Sequence, residues 1–356
     1  MRGRLARLRR AMRKQDIPAL AVLDLRNVRY LTGFTGSAGA CLVTPGAAVF
    51  LTDFRYRAQA ARQVDRAFRY AEHRGALPGL SEEARRLRLK RLAFEENHLS
   101  YGDFRRLRKI ARGVKLSPAP SLIEEIRLRK EAPEVRLLRR GARLNGEALA
   151  QTLRAIRPGA REREIALALE TTMRNLGASG PSFDTIVASG PRSALPHGVA
   201  SDRKVRRGDL ITIDYGAVVE GYHADTTRVV SLGKPSRKGG TIYGIVLEAQ
   251  MAAVEAVTPG VSAAEVDAAA RRIIGKAGYA KAFGHGTGHG VGLEIHEGPR
   301  VAPGSRDILE PGMVVTIEPG IYLPGWGGVR IEDMVLITGK GKEVLTRSIS
   351  KELVIL

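Results

Sequence analysis

The chain opens on a helical pattern. Leu5, Leu8 and Met12 recur between arginines at the spacing of one helix face, which predicts an amphipathic helix. Two short, continuously apolar runs follow, at residues 19–23 and 48–52, and these read as buried strands. Residues 82–91 and 105–112 alternate basic side chains with Leu and Ala, as solvated helix faces do. A Pro-rich stretch at 117–120 then breaks the pattern. From 123 to 156 it is strongly helical, with Leu137, Leu138, Ala142 and Leu149 recurring, and Pro158-Gly159 ends it. Helical periodicity resumes at 162–176, 243–257 and 263–278. Strand hairpins separate and follow these helices, so the second part of the chain reads as two similar halves, each a helix pair and then a hairpin. A length of 356 residues suits two domains, expected at 1–122 and 123–356.

The hairpins carry the chemistry. DLITIDYG (209–216) and YHADTTRVV (222–230) read as two strands joined by a turn near Glu220-Gly221. Asp214 and Asp225 are equidistant from the Val219–Glu220 junction and would face each other if the hairpin centres there. Centred on Glu220-Gly221 instead, they are diagonal neighbours. In both registers the carboxylates share a face, within about 5–8 Å. Residues 313–318 and 329–336 form a second hairpin around a turn-rich loop, with Glu318 and Glu332 symmetric about Gly325. Arg330 shares the face of Glu332 and can anchor a carboxylate by hydrogen bonding.

Between the hairpins lies FGHGTGHGVGLEIHE (283–297), which holds three of the seven histidines: His285, His289 and His296. Glycines on both sides let backbone approach a ligand closely. The pattern is neither a dinucleotide-binding GxGxxG nor a helical HExxH. Asp214, Asp225, His289, Glu318 and Glu332 together supply four carboxylates and an imidazole. That set suits two divalent ions of the Mn²⁺, Co²⁺, Fe²⁺ or Zn²⁺ type. Such a pair generates hydroxide near neutral pH and polarises a carbonyl.

Composition narrows the class further. The single cysteine, Cys41, rules out internal disulfides and thiolate-rich zinc sites, and fits a cytoplasmic protein. No apolar run is long enough for a membrane span, and the basic start lacks a signal-peptide core. Basic residues number 58 against 37 acidic, and the excess sits almost wholly in residues 1–130, with 29 Lys+Arg against 12 Asp+Glu. These cations lie on helix-like segments without any nucleic-acid-binding signature, so no specific nucleic-acid partner is expected.

With these motifs in place, the chain resembles the pita-bread metallopeptidases, which include methionine aminopeptidase, aminopeptidase P and prolidase. FDTIVASG (183–190), SALPHG (193–198), GHGTGHGVGLEIH (284–296) and TIEPGIY (316–322) are similar to the proline-specific members. NVRYLTGFTGS (27–37) and TDFRY (52–56) are similar to the amino domain of bacterial Xaa-Pro peptidases. The resemblance implies an α+β pita-bread catalytic domain preceded by a smaller α/β creatinase-type domain. It implies two metal ions, Mn²⁺ first, with Co²⁺ or Zn²⁺ as alternatives. Asp225 and Glu332 would bridge them, Asp214 would chelate one, and His289 and Glu318 would complete the other. A bridging hydroxide would attack the carbonyl, and Glu318 would carry the proton. His197 and His296 would donate to the substrate oxygen; His285, Tyr322 and Arg330 would line the proline pocket.

The expected activity is that of an Xaa-Pro aminopeptidase, a cytoplasmic homodimer acting on proline-containing peptides. The alternative is an Xaa-Pro dipeptidase, which needs a cation for the free carboxylate of proline, from Arg330 or an amino-domain arginine. Methionine aminopeptidase fits less well, since it does not normally carry this amino domain. A non-catalytic scaffold, or a metal-free creatine hydrolase relative, would be expected to lose metal ligands.

Overall fold

The computed structural model describes residues 2–356. The chain divides into two compact units, Met1–Arg127 and Leu128–Leu356. In the first unit, six strands form one sheet in the order Arg69–Glu72, Ala48–Thr52, Ala40–Val43, Leu20–Val22, Arg91–Glu95, Lys115–Ala119. All pairings are parallel except those of Ala40–Val43, which runs against both neighbours. The apolar runs AVFLT and LAV are buried throughout, as central strands covered on both faces should be. Helix Arg2–Lys14 buries Leu5, Leu8 and Met12, the face read from their spacing.

The helix expected over residues 82–91 is not what forms. Helix Ala76–Arg86 ends early, Arg88 turns to a positive φ of 52°, and Arg91–Glu95 becomes a strand. Leu92, Ala93 and Phe94 are buried there, between Leu20–Val22 and Lys115–Ala119. Long-range parallel pairing overrides a charge-rich local pattern.

The helix expected over 123–156 is two helices, Leu122–Arg127 and Ala132–Thr152. Pro133 sits in the first turn of the second, and Glu131 and Glu134 form its capping box, so a new helix starts there. The shorter helix belongs to the first unit. Asn27 donates to Glu124 (2.7 Å) and accepts from Arg127 (2.8 Å).

The second unit is α+β. Helices Ala132–Thr152 and Glu162–Asn175 pack with a four-stranded sheet ordered Val354–Ile355, Thr226–Ser231, Leu210–Tyr215, Ile186–Ser189. Helices Arg237–Ala256 and Ala263–Lys276 pack with a five-stranded sheet ordered Glu297–Val301, Gly288–Gly290, Val314–Ile317, Asp333–Thr338, Gly341–Val344. Each sheet therefore has its own apolar core and its own helix pair. Among the described residues, no helix is long and apolar enough to cross a membrane.

Candidate metal centre and active site

Both hairpins break at carboxylates, the first at Asp225 and the second at Glu318 and Glu332, whereas Asp214 lies within the continuous strand Leu210–Tyr215. In the first, Val219 pairs with Tyr222 around Glu220 (φ 46°) and Gly221 (φ 73°). The turn therefore centres on Glu220-Gly221, and Asp214 faces Thr227 rather than Asp225. The two aspartates take the diagonal arrangement, with Asp225 in the gap between strands Tyr222–His223 and Thr226–Ser231. In the second hairpin, Ile317 pairs with Asp333 and Gly320 with Arg330, a register symmetric about Gly325. Glu318 and Glu332 lie in the gap between these paired stretches. At such interruptions the sheet bends and re-aims its side chains. Bonds across the gaps hold them: Glu318 N–H donates to Thr287 O (2.7 Å), and Glu332 N–H to Thr227 O (3.2 Å).

The result is a crowded, acidic, buried cluster. One ligand atom each from Asp225, His289 and Glu332 lie within 4.8 Å of one another. His289 Nε2 is 3.3 Å from Glu318 Oε1 and 3.6 Å from Asp225 Oδ2. Burial, then the charges of Glu332, Asp214 and Glu318, push the Asp225 carboxyl well above the ordinary range. Burial, then Glu318 and Asp214, do the same to Glu332. Asp214 is raised by burial, with Arg330 working against the rise. Burial also works to raise Glu318, but the His289 hydrogen bond and the charges of His289, Arg330 and His285 hold it at about 2. Asp214 Oδ1 is buried and has no hydrogen-bond partner among the described residues. Buried like charges with an orphaned oxygen are costly unless cations join them. The donors are all carboxylate oxygen and imidazole nitrogen, which fits borderline divalent metals.

A cavity of about 860 Å³ opens on this cluster. Its lining contains all five candidate ligands, together with His197, His285, His296 and Arg330. Tyr322 is not on that wall. It is buried one layer behind, where its hydroxyl lies 2.9 Å from His285 Nε2 and accepts from Arg330 Nη1 (2.8 Å). Arg330 is itself sealed, at 3 % exposure. Its Nη2 donates to Asp214 Oδ2 (2.6 Å), its Nε to Thr227 Oγ1 (3.2 Å) and its Nη1 also to Pro196 O (3.2 Å).

The histidines arrive on supported loops. Asp267 and Arg271, one turn apart on a helix, clamp the segment carrying His285. Asp267 accepts from Thr287 N–H (3.1 Å) and Oγ1 (2.7 Å), and Arg271 donates to the carbonyls of Phe283 and His285. Buried Glu162 accepts from Ser189, Arg192 and Ser201, on both sides of the His197 loop. The His296 ring lies edge-on to His289, with centroids 4.4 Å apart. Burial, then the His289 charge, push His296 below its ordinary value, so at neutral pH it is a neutral imidazole with one N–H to donate.

Sequence reasoning missed Thr227 and Arg300. Thr227 Oγ1 donates to Glu332 Oε2 (2.7 Å) and accepts from Arg330, tying a ligand to its neighbour. Arg300 pairs across the strands with His289, is exposed, and lies on the cavity wall. Only the strand register places it there.

A buried four-carboxylate, one-imidazole cluster on the wall of a cavity has the donor set of a metal-dependent hydrolase. Comparison with known proteins agrees. Residues 136–339 match metallopeptidase family M24, and residues 4–129 match the creatinase/prolidase N-terminal domain. The chain is 40% identical to an Xaa-Pro dipeptidase of Pyrococcus horikoshii, over 95% of each chain. It is 43% identical to the solved structure of an Xaa-Pro dipeptidase from Bacillus anthracis, covering 99% of both chains with a TM-score of 0.96. An X-Pro aminopeptidase structure from Thermotoga maritima follows at 39% identity and TM-score 0.91, covering 98% of this chain and 100% of that one. The chain belongs to metallopeptidase family M24. It is a peptide hydrolase with a creatinase-type amino domain and a pita-bread catalytic domain.

Proposed function

We propose that this protein is an Xaa-Pro dipeptidase, cleaving the bond before a C-terminal proline. This shifts the expectation from aminopeptidase to its alternative. The supporting observation is the placement of two arginines. A dipeptide's proline ends in a free carboxylate, which needs a cation in the cavity. Arg330, the first candidate, already spends four of its five N–H groups, on Asp214, Thr227, Tyr322 and Pro196. Arg300 stands opposite His289 on the wall and is exposed. Opposed residues of an antiparallel pair point to the same side, so its guanidinium faces the space above the ligands. The names of the Pyrococcus and Bacillus relatives favour the same reading.

Asp214, Asp225, His289, Glu318 and Glu332 would hold two divalent ions, Mn²⁺ first, with Co²⁺ or Zn²⁺ as alternatives. Ions bound there polarise a carbonyl and lower the pKa of water. The rest falls to the side chains. Glu318, beside His289, takes a proton at Oε1 and passes it to the leaving proline nitrogen. His296 and His197 donate to the oxygen that gains charge. Arg330 holds Asp214 in place, and Tyr322 holds His285 against the pocket. Proline's nitrogen carries no N–H, so no side chain is needed to read one. The reading includes a homodimer, to be checked by sedimentation.

The test is hydrolysis of Ala-Pro against Ala-Pro-Ala by stripped protein reloaded with Mn²⁺ or Co²⁺. Metal-dependent cleavage of Ala-Pro, with the tripeptide cut poorly, is expected. Equal or better cleavage of the tripeptide before proline would make it an aminopeptidase, as the Thermotoga name suggests. In the dipeptidase, Arg300→Ala raises KM for Ala-Pro about tenfold or more, the scale of a lost charge-assisted hydrogen bond.

A further inference from the structure

We propose that Lys130, outside the cavity, is a positioning residue for His296, acting through a buried ion pair with Glu297. The inference rests on the reading of His296 as a donor to the substrate oxygen. Lys130 Nζ lies 2.8 Å from Glu297 Oε1, with the two side chains only 1% and 8% exposed. The contact is one of charge rather than a hydrogen bond; the ammonium donates to Leu128 O (3.2 Å), and Lys130 N–H donates to Gly312 O (2.7 Å). Glu297 directly follows His296 and begins the strand Glu297–Val301.

The carboxylate is closely approached on two sides. A Cβ on Gly292 would overlap it, so it is wedged between that backbone and the lysine. Gly290 pairs with Glu297 across a register shift, so the start of this strand is held by an irregular ladder pairing. The ion pair adds a side-chain hold at the same residue. Residues 291–293 are held by Val291 N–H to Val314 O (3.2 Å), by Gly292 O accepting from His223 N–H (2.8 Å) and by the buried side chains of Val291 and Leu293; beyond them Glu297 is the next fixed point, and His296 is the residue directly before it.

The neighbours of Lys130 grip the same region. Leu128 packs so closely on Gly298 that a Cβ there would clash, and Arg129 pairs with Glu310. Leu128 and Lys130, at the start of the catalytic unit, thus both brace the strand that leads out of the active site, while Arg129 ties the same stretch to Glu310 beyond that strand. A buried pair adds little net stability, and the role assigned to this one is to hold the strand start in one arrangement. Removing one partner leaves the other charge buried and alone, and the freed carboxylate then moves toward water and draws its strand with it.

Lys130→Met keeps the aliphatic stem and removes the charge. The expected result is a fall in kcat for Ala-Pro of about tenfold, with KM and metal content little changed, as for a lost transition-state donor. In a His296→Ala background the same substitution should cause no further loss, because both act through one imidazole. Losses that multiply would overturn the proposal. A second readout needs neither substrate nor metal: histidine-labelled, metal-free protein followed by imidazole NMR. Lys130→Met should shift the His296 signals and leave those of His73 and His98 in place; unmoved His296 signals would overturn it. If the wild type cleaves neither peptide, the functional reading fails while the imidazole shift still decides the positioning. Should Lys130→Met not fold, Glu297→Gln repeats the cycle from the other end. Failure of both to fold would mark the pair as a folding determinant and overturn the positioning role.

Discussion

The two units each hold a cavity of similar size, about 890 Å³ in the first and about 860 Å³ in the second. The first lies at the carboxyl ends of strands Leu20–Val22, Ala48–Thr52 and Arg69–Glu72, where open α/β sheets commonly carry ligands. Yet its charges are settled among themselves. Asp24 pairs with Arg26 (2.8 Å), Asp53 with Arg55 (2.8 Å) and Asp103 with Arg106 (3.3 Å). On the wall of the second cavity Asp214, Asp225, Glu318 and Glu332 crowd around Arg330 and His289, and Asp214 keeps an orphaned oxygen. Volume does not mark the reactive site. Uncompensated buried charge does, because only a bound cation or a protonation can offset it.

Neutralising a carboxylate in each cavity gives the largest contrast. Glu332→Gln should lose bound metal and lower peptide hydrolysis by about a thousandfold or more, if the pair of ions supplies the chemistry. Asp103→Asn should change neither metal content nor rate. A Glu332→Gln enzyme with normal turnover would break the comparison.

The pH dependence of the stripped protein sharpens it. Asp225 and Glu332 are held well above their ordinary values, so the folded state keeps protons that the unfolded chain has lost. Stability of the metal-free second unit should therefore fall as pH rises above the ordinary carboxylate range. Saturating metal should reverse this, adding about 2.7 kcal/mol at a hundredfold excess over Kd. Urea midpoints at pH 5 and pH 8, with and without Mn²⁺, measure both signs. A stripped protein that gains stability with rising pH would count against the crowding argument.

The smallest effect belongs to the first unit. Glu95 is raised to about 7 by burial, although backbone N–H groups of Asp24 and Leu23 and the Asn27 amide pull it down; Glu124 adds to the rise. Its sign is the same: the contribution is present below the unfolded value of 4.5 and is lost as pH climbs through about 7. The size is on the order of 1–3 kcal/mol. Metal should leave it untouched, and Glu95→Gln should flatten it, in unfolding followed by a probe confined to the first unit. A slope that responds to Mn²⁺ would mean the two cavities are not independent in kind.

Much of the catalytic unit could be read from the chain. Helix pairs, hairpins and the Gly325 symmetry of Glu318 and Glu332 follow from periodicities that span few residues. The first hairpin admits two registers on sequence, since Val219, Glu220 and Gly221 allow either turn; positive φ at both Glu220 and Gly221 selects the diagonal one. The helical pattern over 82–91 overruns into the first residue of the strand Arg91–Glu95, because that strand's partners, Leu20–Val22 and Lys115–Ala119, are distant in sequence. Arg300 and Lys130 carried no local signal. Each matters only through a neighbour brought close by the fold.

By itself, then, the sequence determined the residue types of the cluster, their order along the chain and the hairpins that carry them, because strand alternation and turn chemistry act locally. The tertiary structure alone decided which carboxylates are crowded, which arginine is sealed and which faces the cavity, and what braces His296. Those properties depend on burial and on cross-strand register. Both are set by contacts between segments that the chain's own order keeps far apart.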